Sequence, residues 1–319
     1  MPRLVALVLS VLCLARAPVA AVDPSFNDWL TALRQEAAAQ GMRPAFLDST
    51  LTGLAVREEV LRLERQQPEV AWTLERYLRG VVTTGRVALG RRVRDQHRQL
   101  LDRVSRQYRV QPRFIVALWG IETDYGRNPG QTPVVPALAT LAFAGRRADF
   151  FRQELLAALR LLHDGQATPG ELVGSWAGAM GQPQFMPSTF AQHGVDFDQD
   201  GRRDIWRSTP DVLASTANLL SSLGWRDDLT WGREVRLPAE APAAWDSTAR
   251  ELREWSRLGV RCLDGSPLPD REVEAALVRP VRANGRAFLA YANFQAIKRW
   301  NNSTYFAVAV GQLADRIGD

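Results

Sequence analysis

Glu122 stands where a carboxylate is costly. Ile115, Leu118 and Glu122 are spaced i, i+3 and i+7, which places the acid on the apolar face of a helix. Glu is rarely buried without a partner. Two effects raise the pKa of an acid so placed: desolvation disfavours the anion, and the end of the helix adds partial negative charge. A carboxyl kept protonated near neutral pH can protonate the leaving oxygen of a glycosidic bond. The segment alone admits a plainer reading, a Glu paired with Arg113 or Arg127 at a helix end. Asp124 does not complete a two-carboxylate pair, because residues i and i+2 point to different sides of a helix.

A second cluster is acidic. The run from Asp196 to Arg207 matches a calcium loop at positions 1, 3, 5, 6 and 9 through Asp196, Asp198, Asp200, Gly201 and Asp204. Arg202, at position 7, would contribute only its carbonyl. The last position calls for a bidentate acid and holds Arg207. The competing reading is a loop whose four Asp are neutralised by Arg202, Arg203 and Arg207. Cys13 and Cys262 are far apart and form neither a disulfide framework nor a thiolate metal site. Cys262 is expected to be a small core residue.

The elements that must position these groups are mostly helical. Trp29, Leu30, Leu33 and Ala37 share one face of a helical stretch running from Phe26 to Leu63, punctuated by Gly41 and Pro44. Another helical stretch lies around Trp72 to Leu78, and a basic one covers residues 86–110. Pro112 sits at a tolerated first turn and starts the helix that ends at Glu122, with Gly126 as the expected C-cap. Residues 127–136 read as a loop, 137–162 as helix, 174–184 as a Gly-rich stretch, and Pro187 as a helix start. A helix is expected from Thr209 to Leu223. Residues 226–285 are rich in Pro and lack a helical period, with Glu234 to Leu237 as a short strand, and 286–316 turns helical again in part.

Composition bounds the rest. Hydrophobic residues make up 46% and charged residues 24%, so the chain can bury a sizeable core and disorder is excluded as a global description. The formal charge is +5, and all of the 40 basic residues except Lys298 are Arg. They are spread among 35 acids, so no nucleic-acid stripe is indicated. The start is different. Arg3, an apolar run from Leu4 to Ala15 and a small-residue exit at Val19-Ala20-Ala21 describe a secretory signal peptide over residues 1–21, too short to span a bilayer. Leu12 fits poorly before Cys13 as a lipidation signal. The mature protein is expected to be exported, soluble and periplasmic.

The run Val116-Ala117-Leu118-Trp119-Gly120-Ile121-Glu122-Thr123-Asp124-Tyr125-Gly126 resembles the catalytic segment of the lytic murein transglycosylase B family. The resemblance continues through Ala137 to Phe143 and the pair Arg146-Arg147, and is strongest from Gly174 to Ser188. It reappears in Trp300-Asn301-Asn302-Ser303-Thr304-Tyr305-Phe306. Four motifs in order are far more specific than a lone carboxylate, and they favour the catalytic reading of Glu122. The family cuts the β-1,4 bond between N-acetylmuramic acid and N-acetylglucosamine without water, as the muramic C6 hydroxyl attacks its own anomeric carbon. One Glu, matched by Glu122, acts first as acid and then as base. An intramolecular hydroxyl at high effective concentration replaces the second carboxylate of ordinary glycosidases.

The resemblance also implies a site. Ser175 matches a hydroxyl that bonds the catalytic carboxyl, and Gln184 and Asn301 match amides lining the cleft. Gly178 and Gly181 would let backbone approach ligand. Tyr77, Trp300 and Phe306 fall where the family places aromatic residues around the sugar. Trp300 and Phe306 stand where Tyr is common, so the hydroxyl contacts are lost. Arg146 and Arg147 would meet peptide-stem carboxylates or coat a helix. Relatives that hold calcium in the acidic loop carry an acid where Arg207 stands, so any ion is expected to be weakly held and structural. The chemistry requires no cofactor. The implied fold is mainly α. It divides into an N-terminal helical region (22–95), a lysozyme-like catalytic core (96–225), a small mixed α/β insertion (226–285) and a C-terminal segment (286–319) returning to the core. The expected partner is a peptidoglycan glycan strand, bound by a monomer, with other cell-wall enzymes as further partners and nucleic acid excluded. The rival readings are a hydrolytic muramidase and a non-catalytic wall-binding module.

Overall fold

The computed structural model describes residues 25–66 and 72–318. The expected signal peptide, with Cys13, lies outside the described residues.

Three short helices, α1 (Phe26–Ala39), α2 (Pro44–Leu51) and α3 (Glu58–Arg65), come first. Leu30, Leu33, Leu47, Leu51 and Val60 from these helices share one core with α8 (Val134–Ala144) and α9 (Ala148–His163). A second core gathers α4 (Leu74–Val81), α5 (Thr84–Gln96), α6 (Arg98–Tyr108) and α7 (Pro112–Thr123) with α11 (Thr209–Ser222), α13 (Ala292–Trp300) and α14 (Thr304–Ile317). The stretch 22–95 is therefore not one region as expected: α1–α3 join one core and α4–α5 the other.

Local chemistry sets the boundaries. Thr73, Thr83, Ser208 and Ser303 cap α4, α5, α11 and α14, each hydroxyl accepting a backbone N–H of the first turn. Pro112 starts α7. Its C-cap is Asp124 (φ 53°) rather than Gly126, and Asp124, Tyr125 and Gly126 are all left-handed. The helix expected over 137–162 is two helices broken at Gly145, which turns to an extended conformation after α8. The preceding loop is also shorter than expected, since α8 begins at Val134 with Pro136 in its first turn.

Two strands, β1 (Thr132–Pro133) and β2 (Val173–Gly174), pair antiparallel beside the Gly-rich stretch, which leads into α10 (Pro187–His193). The mixed insertion is a five-stranded antiparallel sheet of β3 (Gly232–Arg236), β4 (Ala249–Glu251), β5 (Arg261–Cys262), β6 (Glu274–Val278) and β7 (Ala287–Ala290), in the order β4-β6-β7-β3-β5. Helix α12 (Leu252–Arg257) covers it through Leu252 and Trp255. The sheet runs past the expected limit at 285, because its central strand is β7. On β7, Phe288 and Ala290 pack into the α7–α14 core while Ala287 and Leu289 face the insertion's own core, as strand alternation requires. Cys262 is half-buried on edge strand β5 and is not a core residue. Among the described residues no helix is long and apolar enough to cross a membrane.

Candidate active site

Glu122 is the penultimate residue of α7. Ile115 and Leu118, on the same face, are fully buried, while Glu122 keeps a partly open edge. The turn that follows it is bolted down. Gly120 leaves room for the Tyr125 ring, which a Cβ there would strike, and the Tyr125 hydroxyl donates to Arg86 O at 2.8 Å. Thr123 Oγ1 donates to Gln182 O at 2.7 Å, and Gln182 Oε1 accepts from Trp119 Nε1 at 2.8 Å. Gln182 Nε2 in turn donates to Trp206 O. Gln182 thus ties the Gly-rich loop to α7. The sequence reading did not single it out, and only its place inside the strongest motif could have marked it.

Burial pushes the Glu122 carboxyl up to about 7, against the opposing effect of Trp300, whose Nε1–H donates to Oε1 at 2.8 Å. No cation among the described residues bonds this carboxyl. Arg127 pairs instead with Asp124 (2.7 Å), as does Arg86 (3.4 Å). The plainer reading of Glu122 as half of a helix-end ion pair is therefore not what the structure forms. Asp124 is turned away to its Arg partners.

Trp300 also lines a cavity of about 1260 Å³ together with Tyr77, Arg147, Trp176, Asn301 and Tyr305. A cavity this large exceeds the ordinary small-molecule range and suits an extended ligand. No carboxylate appears in its lining among the described residues. Asn301, just past α13, is exposed to this cavity. The Arg147 guanidinium lies over the rings of Phe150 and Phe151 at 5.2 and 4.9 Å. Trp72, Trp176, Asn302 and Tyr305 are lining residues that sequence reasoning missed; all but Trp72 lie inside or beside the quoted motifs.

Other expected site residues are placed differently. Ser175 Oγ accepts Ala179 N–H at 3.1 Å and makes no hydrogen bond to Glu122, because the turn from Ser175 to Ala179 folds its hydroxyl back on the loop. Gln184 (φ 53°) spends its amide N–H groups on Pro129 O and Gly181 O and is outside the cavity lining. Gly178 and Gly181 permit close approach to protein, since a Cβ would strike Leu138 and Ile205 respectively. Phe306 is a core residue, 4% exposed. Arg146 donates from its backbone N–H to the Glu64 carboxylate and from Nη2 to Glu64 O, and does not reach the cavity.

The acidic loop gathers an unexpected trio. Oxygens of Asp196, Asp198 and Asp211 lie within 4.8 Å of one another, while Asp200 and Asp204 stand outside this group. Asp200 Oδ1 accepts Arg202 N–H and Asp204 Oδ1 accepts Trp206 and Arg207 N–H, so both shape the loop. Arg202 and Arg207 turn to Glu171 at 3.1 and 3.6 Å, and Arg203 donates to Ala191 O and Gln166. The Asp residues are therefore not neutralised by these Arg; Asp196 and Asp211 accept backbone N–H groups of the loop and Asp198 accepts the Ser208 hydroxyl, and the three carboxylates together have the chemistry of a donor set for a hard divalent cation. Asp211 was missed because it lies beyond the loop spacing, in the first turn of α11.

A helical fold thus holds a desolvated carboxylic acid whose indole partner lines an aromatic and amide-bearing cavity, an arrangement suited to acid catalysis on an extended polar ligand. The comparisons with known proteins are specific. The chain belongs to the Transglycosylase SLT domain family, whose description it matches over residues 25–315. It is 34% identical over 255 residues to the membrane-bound lytic murein transglycosylase B of Escherichia coli K12, covering 78% of this chain and 68% of that protein. SltB3 of Pseudomonas aeruginosa, solved with NAG-NAM-pentapeptide and with NAG-anhNAM-pentapeptide, is 43% identical, with a TM-score of 0.86 over 91% of this chain and 79% of that one. The Escherichia coli lytic transglycosylase Slt35, solved in complex with calcium, is 31% identical, with a TM-score of 0.78 over 90% and 92% of the two chains.

Proposed function

We propose that the protein is a lytic murein transglycosylase. It cleaves the β-1,4 bond between N-acetylmuramic acid and N-acetylglucosamine in peptidoglycan strands and leaves 1,6-anhydromuramic ends. The observation that carries this reading is Glu122: a carboxyl held up to about 7 by burial and bonded by Trp300, whose ring lines the large cavity, with Asp124, the nearest acid in sequence, paired to Arg86 and Arg127. A carboxyl raised this far keeps a protonated population near neutral pH, so it can give a proton to the leaving oxygen and take one back from the C6 hydroxyl. A hydrolase of either ordinary stereochemistry needs a second carboxylate as nucleophile or water base. The bound fragments of SltB3 include both a NAM and an anhydro-NAM unit, consistent with this course.

The lining residues support this reading through their chemistry. Asn301 offers an amide donor and acceptor to sugar hydroxyl and N-acetyl groups, while Tyr77 and Tyr305 supply aromatic surface. Arg147, one of two arginines in the lining with Arg282, would meet a stem-peptide carboxylate. The enzyme acts as an exported periplasmic monomer on glycan strands, and its chemistry requires no cofactor. Calcium, where bound, is held by Asp196, Asp198 and Asp211 as a weak structural ion. The experiment is digestion of purified peptidoglycan followed by mass analysis. Products lighter by one water than reducing ends support the reading, and reducing ends alone overturn it.

A further inference from the structure

Trp300 closes α13, and its indole reaches the carboxyl of a residue 178 positions earlier in the chain. The Nε1–H donates to Glu122 Oε1 at 2.8 Å. An indole N–H is a donor with no acceptor capacity, whatever the state of its partner. A protonated carboxyl carries one O–H and one carbonyl oxygen. With that O–H on Oε1 the indole would face the hydroxyl oxygen, a weaker acceptor than the carbonyl oxygen, so the N–H favours the proton on Oε2. The ring itself is well fixed: it meets Phe185 edge to face at 5.5 Å and packs against both large cores.

We infer that Trp300 is a positioning residue that keeps the transferable proton of Glu122 on Oε2, so that a single oxygen serves both halves of the reaction. This rests on the reading of Glu122 as the catalytic acid. In the first half, the Oε2 proton moves to the O4 of the departing N-acetylglucosamine as the C1–O4 bond breaks. In the second, the C6 oxygen bonds to C1 and its proton passes to Oε2. Oε1 accepts from the indole throughout, the carboxyl ends as it began, and no water is consumed. Because the N–H bonds the anion more strongly than the acid, it also opposes the effect of burial on the carboxyl.

The test removes the N–H and keeps an aromatic ring. Trp300→Phe is the simple variant. Where it fails to fold, as judged by melting temperature, 3-benzothienylalanine at position 300 replaces N–H by sulfur in the same shape. The values of kcat and KM on peptidoglycan fragments are measured from about pH 5 to about pH 9. The expected result is a roughly tenfold fall in kcat, little change in KM, and an alkaline limb moved up by about one pH unit, as the anion loses its donor. Trp300→Tyr, whose hydroxyl donates, should bring the limb back. A lower kcat with an unmoved limb reduces Trp300 to packing, and a change confined to KM reduces it to a sugar platform; either overturns the inference. Glu122→Gln runs in parallel: its inactivity leaves the functional reading standing even where the Trp300 inference falls, whereas its activity removes both.

Discussion

A catalytic acid built by burial should cost stability, and the cost should depend on pH in a calculable way. Glu122 is raised from 4.5 to about 7, which corresponds to about 3 kcal/mol by which the folded protein disfavours the anion. The folded pKa lies above the unfolded one, so this contribution to stability is complete below about 4.5 and is lost as pH rises toward about 7. Glu122→Gln keeps the shape and an oxygen for Trp300 but cannot ionise. At about pH 5 the ionisation of Glu122 separates variant and wild type by only about 1 kcal/mol, beside any difference in local hydrogen bonding. At about pH 8 the wild type carries the cost of a buried charge and the variant does not. The difference between the two pH values should favour the variant by about 2–3 kcal/mol, or on the order of 5 °C in melting temperature for a chain of this size. Denaturation monitored by circular dichroism at both pH values measures it, and comparison with wild type at the same pH cancels the other titrating groups. Turnover of the same variant should fall by roughly 10²–10⁴, the usual worth of general acid–base catalysis. A variant whose stability relative to wild type is independent of pH, or which retains more than about a tenth of the activity, refutes the account of Glu122.

Ser175→Ala should lower activity less than Glu122→Gln and leave the alkaline limb of the pH profile in place, because its hydroxyl bonds Ala179 N–H. A moved limb in the rate profile would show that Ser175 reaches the carboxyl during turnover. Gly311→Ala should destabilise by about 1–3 kcal/mol in chemical denaturation, since a Cβ there falls inside the Trp231 ring. A neutral result would show that α14 can shift away from Trp231 freely. Adding calcium should raise the melting temperature only near millimolar concentration, and chelator should leave activity nearly intact, because no acid occupies the position of Arg207. Loss of activity together with many degrees of melting temperature on chelation would mean that Asp211 compensates fully.

Much of the helical framework was legible because its signals are local. Pro112 and the apolar spacing that ends at Glu122 give α7, Pro187 gives α10, and Thr209 to Ser222 was readable from its period. The break at Gly145 was not, since the residues on both sides keep a helical composition. Strand β7 escaped because it is buried on both faces, which erases the polar alternation that marks an ordinary strand. Of the residues named from the sequence, Tyr77, Arg147, Trp300 and Asn301 line the cavity, whereas Phe306 and Arg146, which do not, were not distinguishable from them by type. The bond from Trp300 to Glu122 joins residues 178 positions apart, and the grouping of Asp211 with Asp196 depends on how α11 packs behind the loop. Such contacts belong to the tertiary structure and leave no trace in local spacing.

The electrostatics of the site turn on Asp124 as much as on Glu122. Arg is the dominant cation of this chain, and two of its guanidinium groups, from Arg86 and Arg127, meet at Asp124, the C-cap of α7. Either one beside Glu122 would favour the anion and remove the proton the reaction needs. Asp124 holds both, at 3.4 and 2.7 Å, and it can do so because the left-handed C-cap swings its side chain off the face that carries Glu122. The residue that is badly placed to be a second catalytic carboxylate is therefore well placed to keep cations away from the first. What remains against Glu122 is a neutral donor, the indole of Trp300, which orients the acid without neutralising it. Burial raises the acid, and the arginines nearest in sequence and structure to that turn are spent on Asp124.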